Sequence, residues 1–216
     1  METIHGKQTR KLDATRLAAE LMPYRGVLID LGTGDGRYVR SAAQACPERF
    51  VIGLDACREN LRSASRSAPS NVLFVIANAL DLPQELRGLA GHITINFPWG
   101  SLLGALVNAE PTLFDGLRML ALPGALLEIR LNASALVEAG LSLEQGGVAV
   151  RQALRTYGFN AGPLVSLDAV ALRACPTTWA KRLAFGRDPR ALYLRASVSE
   201  LQLNQSKEYS AWRGKS

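Results

Sequence analysis

The sequence is short of the residues that hold metals and disulfides. Its three cysteines, Cys46, Cys57 and Cys175, are an odd number without CxxC spacing, which argues against a disulfide framework and a thiolate metal site. With only His5 and His92, a histidine metal site is equally unsupported, and no metal is expected. Long hydrophobic runs are missing too: none approaches the roughly 18 residues of a membrane span. The N-terminus, carrying Glu2, His5, Lys7 and Arg10, lacks an apolar signal core. A cytoplasmic, monomeric protein without membrane contact is the expectation. No repeat or linker interrupts the chain, so 216 residues, 48% of them hydrophobic, read as one domain over residues 1–200. The stretch 201–216 is polar and aperiodic apart from Trp212, and is expected to be a flexible tail.

What is present in excess is positive charge, +6 in all. Residues 173–190 carry Arg173, Lys181, Arg182, Arg187 and Arg190 against the single acid Asp188. A second group, Arg58, Arg62 and Arg66, is spaced four apart and shares one face of a helix. Like charges at that spacing cost roughly 0.2–0.5 kcal/mol per pair unless an anion offsets them. The face is either a solvated surface or a contact for a polyanion.

Short apolar runs at 27–31, 51–55, 72–77 and 92–97 read as buried parallel strands. Segments 37–46, 57–67 and 84–90 between them have helical composition, so the pattern is one of βαβ units and an α/β sheet flanked on both faces. Further on, 113–120 and 144–159 read as helices and 125–131 as a strand; 164–167 and 192–198 suit a closing antiparallel pair. Residues 1–12 suit a small N-terminal hairpin turning at Gly6-Lys7.

The first strand runs into Asp30-Leu31-Gly32-Thr33-Gly34-Asp35-Gly36, the place where open α/β sheets bind ligands. A dinucleotide loop is GxGxxG, but here the third glycine comes one residue early and Arg37 holds its position. Asp30 and Asp35 would repel a pyrophosphate. They suit S-adenosylmethionine, which has no phosphate and carries a sulfonium and an ammonium. Asp55 ends the second strand about twenty residues on, where an acid accepts hydrogen bonds from ribose hydroxyls. Asn78 and Ala79 end the third strand, placed to lie against the adenine ring. Gly32, Thr33, Gly34 and Gly36 complete this candidate cofactor set with Asp30 and Asp55.

Asn96-Phe97-Pro98-Trp99 ends the fourth strand at the same sheet edge. Trp99 is either a core residue or a platform on which an unstacked base rests, worth about 1–3 kcal/mol. Trp179 follows Pro176-Thr177-Thr178 and precedes Lys181, Arg182 and Arg187, an aromatic among phosphate-seeking cations.

Gly32 to Gly36, Phe97-Pro98-Trp99-Gly100 and above all Trp179-Ala180-Lys181-Arg182-Leu183-Ala184-Phe185-Gly186-Arg187 resemble the aminoglycoside-resistance 16S rRNA (adenine(1408)-N(1))-methyltransferases of the kanamycin-apramycin type. The likeness lies in five blocks between Leu28 and Arg187 and is thin from Leu106 to Val170. It implies a class I S-adenosylmethionine-dependent methyltransferase fold, Rossmann-like, with a mostly parallel seven-stranded sheet. It implies methylation of N1 of the decoding-site adenine of 16S rRNA in the 30S subunit, with Trp99 and Trp179 as the catalytic pair sandwiching the flipped base in a slot as thick as one purine. N1 is unprotonated at neutral pH, so no general base is expected. The resemblance also places Trp99, Ser101, Thr177 and the position of Leu80 at the cofactor or base, and Arg58, Arg62, Arg66, Lys181, Arg182 and Arg187 on the rRNA. The chain departs from the family in having Leu80 where a glutamate is usual, and only Ser67-Ala68-Pro69-Ser70 where a longer basic linker is usual. Two rival readings are a methyltransferase of another RNA, such as one acting on tRNA guanine, and a non-catalytic rRNA-binding factor on the same fold. Asn96-x-Pro98-Trp99 also resembles the Asn-Pro-Pro-aromatic motif of amine methylating enzymes, but Phe97 replaces the first proline.

Overall fold

The computed structural model describes residues 1–186 and 188–198; Arg187 and the expected tail lie outside them. In chain order the elements are β1 (Glu2–His5), β2 (Gln8–Lys11), α1 (Ala14–Leu21), β3 (Gly26–Leu31), α2 (Arg37–Ala45), β4 (Arg49–Asp55), α3 (Arg58–Ser65), β5 (Val72–Ile76), β6 (Ala90–Asn96), α4 (Gly100–Val107), α5 (Pro111–Leu120), β7 (Ala121–Asn132), α6 (Ala133–Glu138), α7 (Leu143–Thr156), β8 (Phe159–Leu167), α8 (Ala169–Ala174), α9 (Thr178–Ala184) and β9 (Ala191–Val198).

The strands form one sheet in the order β2-β1-β5-β4-β3-β6-β7-β9-β8. Strands β5, β4, β3, β6 and β7 run parallel, and β9 enters between β7 and β8 antiparallel to both. The expected hairpin is present, and it does more than cap the domain: β1 pairs antiparallel with β5 and extends the seven-stranded sheet to nine. It can do so because β5 is otherwise an edge with unpaired amides and carbonyls.

Strands β3, β4 and β5 are apolar almost without interruption because both of their faces are covered. On one face Ile29, Leu31, Ile93, Ile95, Leu127 and Ile129 join Leu106 of α4, Leu117 of α5 and Leu154 of α7 in the main core. On the other, Leu28, Val51 and Phe74 meet Val39 of α2 and Leu61 of α3. A third, small cluster joins Phe97 to Leu172 of α8 and to Ala180 and Leu183 of α9, so the α8-α9 pair is clamped onto the strand end that carries Trp99.

Two segments differ from the sequence reading. Residues 84–90 do not make a helix: one 3-10 turn spans Gln84–Leu86, and Ala90 already opens β6. Seven residues with Gly88 at φ 65 in their midst are too short and too broken for a packed helix. Phe159 opens β8 and does not close the preceding helix, which stops at Thr156 ahead of Gly158 at φ 81.

The chain goes from β3 outward through β4 to β5, then returns to β6 on the other side of β3. The crevice outside the carboxyl ends of β3 and β6 is therefore the topological switch point, where open α/β sheets bind ligands.

Candidate active site

A cleft of about 450 Å³ occupies that crevice, lined by the Asp30–Asp35 turn, Asp55, Asn60, residues 77–79, Asn96 to Trp99, Ser101 and Leu102, and Thr177 to Trp179 with Arg182. Its size suits a nucleoside-bearing ligand.

The glycine turn is shaped by contacts on both sides. Gly36 sits at φ 68, and a Cβ there would come within 2.6 Å of the Ala64 Cβ and 2.9 Å of the Phe74 ring, so only glycine lets α2 start so close to α3 and β5. Gly34, at φ 54, faces open space, which leaves its surface to a ligand. Its N–H donates to Asp55 Oδ2 at 2.8 Å, tying the turn to the end of β4. The other Asp55 oxygen accepts from the Cys57 N–H at 2.8 Å. Asp55 thus reaches the cleft already oriented.

Asp30 is buried and accepts three hydrogen bonds: from Thr33 Oγ1 at 2.7 Å, Thr94 Oγ1 at 2.6 Å and Asn96 Nδ2 at 2.9 Å. Burial pushes it up to about 6, while those hydrogen bonds and the Arg130 charge pull it down. A carboxylate held at that balance responds strongly to a cation placed beside it.

The target side is assembled from two distant pieces of chain. Trp99, the N-cap residue of α4, and Trp179 in the first turn of α9 meet with ring centroids 4.9 Å apart and planes at 29°. The expected slot is therefore closed. Two successive van der Waals contacts of roughly 3.5–4 Å require planes roughly 7–8 Å apart to admit a base, so the indoles must separate by about 2–3 Å. Stacked in this way, they cover part of each other's faces. Phe97 holds an unusual conformation for a bulky residue, φ 52, of a kind costing about 1–3 kcal/mol and held only where surroundings enforce it. The enforcement comes from the α8-α9 cluster around its ring, and the result is that Pro98-Trp99 turns into the cleft.

Three contacts hold Trp179 and its neighbours at the cleft. Arg182 lies 5.3 Å from its ring centroid. The neighbouring Thr178 hydroxyl donates to Asp35 of the glycine turn, and Thr177 caps α9, its Oγ1 accepting the Ala180 N–H at 2.8 Å. Thr177 and Ser101 both line the cleft.

Not every residue singled out from the sequence is brought here. Leu80 stands apart from the cleft lining: its N–H donates to Asn78 Oδ1 at 3.0 Å, and it lines a neighbouring groove with Asp81, Leu82 and Met119. Arg58, Arg62 and Arg66 are exposed along α3; Arg58 pairs with Glu2 of the hairpin at 2.7 Å, and the Arg66 stem lies against the Gly6 turn. Lys181 and Arg182 are exposed on α9, and Arg182 lines the cleft. Asn60 and Tyr38 line the cleft, and Arg130 stands behind Asn96, without having been singled out, while Asn96 and Thr178 had been named within their motifs but given no role. Part of the signal was legible, since His92, Thr94, Asn96 and Glu128, Arg130 place polar residues at every second position in strands otherwise wholly apolar.

A switch-point cleft with acids at the glycine turn, on this sheet, defines a Rossmann-like methyltransferase that uses S-adenosylmethionine. The chain matches the model of the NpmA family, 16S rRNA (adenine(1408)-N(1))-methyltransferase, over residues 2–198, and it belongs to that family. It is 33% identical over 205 residues to the 16S rRNA (adenine(1408)-N(1))-methyltransferase of Escherichia coli, covering 87% of this chain and 94% of the relative. The crystal structure of the aminoglycoside resistance methyltransferase NpmB1 superimposes with a TM-score of 0.75 at 33% identity, covering 91% of this chain and 98% of that one. A mutant of the 16S rRNA (adenine(1408)-N(1))-methyltransferase from Catenulisporales acidiphilia, solved with cosubstrate SAM, superimposes with a TM-score of 0.78 at 27% identity, covering 92% and 97%.

Proposed function

We propose that this chain methylates N1 of adenine 1408 of 16S rRNA in the 30S subunit, as a cytoplasmic single-domain monomer, and thereby confers resistance to aminoglycosides such as kanamycin and apramycin. Family membership supports the reaction, and one observation supports the site: two tryptophans from distant segments converge beside the acid-lined cleft.

When bound, S-adenosylmethionine would supply an electrophilic methyl for in-line attack by the adenine N1 lone pair, the methyl–sulfur bond breaking as S-adenosylhomocysteine leaves. Asp55 holds the ribose hydroxyls, and Asp30, Gly32, Thr33, Gly34, Gly36, Asn78, Ala79, Ser101 and Thr177 complete the walls around the cofactor. Trp99 and Trp179 part, take the flipped adenine between them and align its N1. Alignment of this kind lowers a barrier by about 7–11 kcal/mol where reacting atoms are held near contact. The product base is cationic, and each indole face stabilises the developing charge by about 0.5–2 kcal/mol. No side chain has to remove a proton. Lys181, Arg182 and, by its place in the motif, Arg187 grip the RNA backbone on one side, with Arg58, Arg62 and Arg66 on the other.

The test is growth of a sensitive bacterium expressing the chain on kanamycin and apramycin, with mass mapping of its 16S rRNA. Resistance with one added methyl at adenine 1408 is expected. A methyl on another nucleotide, or unmodified rRNA in a strain making folded protein, would refute the proposal.

A further inference from the structure

Behind the cleft lies a set of polar side chains that the reaction as described does not use. His92, Thr94 and Asn96 of β6, Glu128 and Arg130 of β7 and Tyr193 of β9 share one face of the sheet, with Asn96 beside Arg130 and Arg130 beside Tyr193 in the strand register. Arg130 Nη1 donates to Asn96 Oδ1 at 2.8 Å, and Asn96 Nδ2 donates to Asp30 Oδ1 at 2.9 Å. The guanidinium is held from its far side by Glu128 Oε2 at 3.8 Å and by the Tyr193 ring, 5.2 Å to its centroid. Glu128 in turn accepts from His92 Nε2 at 3.0 Å and from the Tyr193 hydroxyl. The Arg130 carbonyl also accepts the Phe97 N–H at 2.8 Å, at the root of the Trp99 turn.

An amide side chain can face either way, and a guanidinium has only donors to offer. Arg130 therefore draws the Asn96 oxygen toward itself and leaves the NH₂ pointing at Asp30. We infer that Arg130 is a positioning residue for methyl transfer, which through Asn96 orients the Asp30 carboxylate and keeps it ionised for the cofactor. This rests on the reading of Asp30 as a cofactor-binding residue. The groups facing Asp30 are Thr33 of the turn, Thr94 and Asn96 of β6, Tyr38 of α2, Arg130 of β7 and Cys175 beyond α8, with Glu128 beyond Arg130. Arg130 is the one cation among these described groups, and burial already raises Asp30 to about 6. Little further loss of support would leave it half protonated at neutral pH.

Calorimetric titration of S-adenosylmethionine into the full chain, from about pH 5 to about pH 9, separates this role from a merely structural one. Wild-type affinity should fall as pH drops through about 6. Arg130→Met should move that fall upward by up to about one unit, weakening binding several-fold near pH 6, about twofold at pH 7 and hardly at all at the alkaline end. Arg130→Lys should lie between the two. The cofactor's own amine titrates alike in every experiment, so differences between variants report the protein. An equal loss at every pH in Arg130→Met, or no change, would overturn the inference. Asp30→Asn should lose affinity together with the pH dependence; if it binds as wild type does, the reading of Asp30 fails instead. Should Arg130→Met not fold by circular dichroism, Asn96→Ser breaks the same link, and an unmoved inflection there is equally fatal.

Discussion

The two halves of the cleft are built on opposite plans. On the cofactor side, Asp30 and Asp55 already hold their hydrogen bonds, and the glycine turn is fastened to β4 through the Gly34 N–H. On the target side the tryptophans stack on each other, the Trp99 Nε1 is buried without a hydrogen-bond partner among the described residues, and Phe97 holds a strained backbone. The first half is ready for a small ligand of fixed shape. The second half is held shut by contacts that a base can replace, as suits a site whose substrate must first be pulled from an RNA stack.

If that contrast is right, damage to the two halves should separate cleanly. The largest effect belongs to the target side: Trp99→Ala or Trp179→Ala should lower the methylation rate by about a thousandfold or more, from lost stacking and lost alignment together. Cofactor affinity in Trp179→Ala should stay nearly intact by calorimetry. Joint loss of fold and cofactor binding there would break the comparison.

Asp30 probes how the prepared half is held. Its pKa is raised from 3.8 to about 6 in the folded chain, so between those values the folded state keeps a proton that the unfolded state has released. Stability therefore falls as pH rises across that window, by about 3 kcal/mol for a shift of this size. Asp30→Asn should remove that slope and unfold at higher urea than wild type at pH 7, while binding cofactor less well. Unchanged urea midpoints at both pH 4 and pH 7 would show that the carboxylate is not strained by burial. Glu128 acts in the opposite sense: lowered to about 2, chiefly by the His92 hydrogen bond, it supports the fold above about pH 4.5 and loses that support as pH falls through about 2.

Asp55→Ala should weaken S-adenosylmethionine binding about 10- to 100-fold, the worth of hydrogen bonds to a charged acceptor, with rRNA binding in a filter assay unaffected. Thr178→Val tests the one hydrogen bond between the halves described here, from α9 to Asp35. Losing it should cost about 1 kcal/mol and change tryptophan fluorescence as the indoles loosen, with a few-fold effect on methylation. The smallest effect is expected at Arg62, where alanine should reduce the salt dependence of rRNA binding by about one unit of slope and affinity a few-fold. Arg58, already paired with Glu2, should matter less.

Most of the cofactor half was legible in the sequence, because its chemistry is contiguous or periodic: a strand, a glycine turn and an acid ending the next strand. The target half was legible only where residues were unusual, as in Trp99-Gly100 and the Trp179 to Gly186 block. The groove that Leu80 lines is set by the Asn78–Asp81 turn and not by distance along the chain, which is why its place could not be read from the sequence. Residues 84–90 were misread because helical composition in a short segment says little against a following strand that needs its neighbours in the sheet.

By itself the sequence determined the α/β order, the switch-point turn and the ligand class, since hydrophobic period, glycine freedom and carboxylate charge are local properties. Only the tertiary structure decided that the hairpin lengthens the sheet, that the indoles shut against each other, and that Arg130 reaches Asp30 through Asn96. Each of these depends on which strands become neighbours and how closely their side chains meet across the sheet, and distances of that kind exist only once the chain has folded.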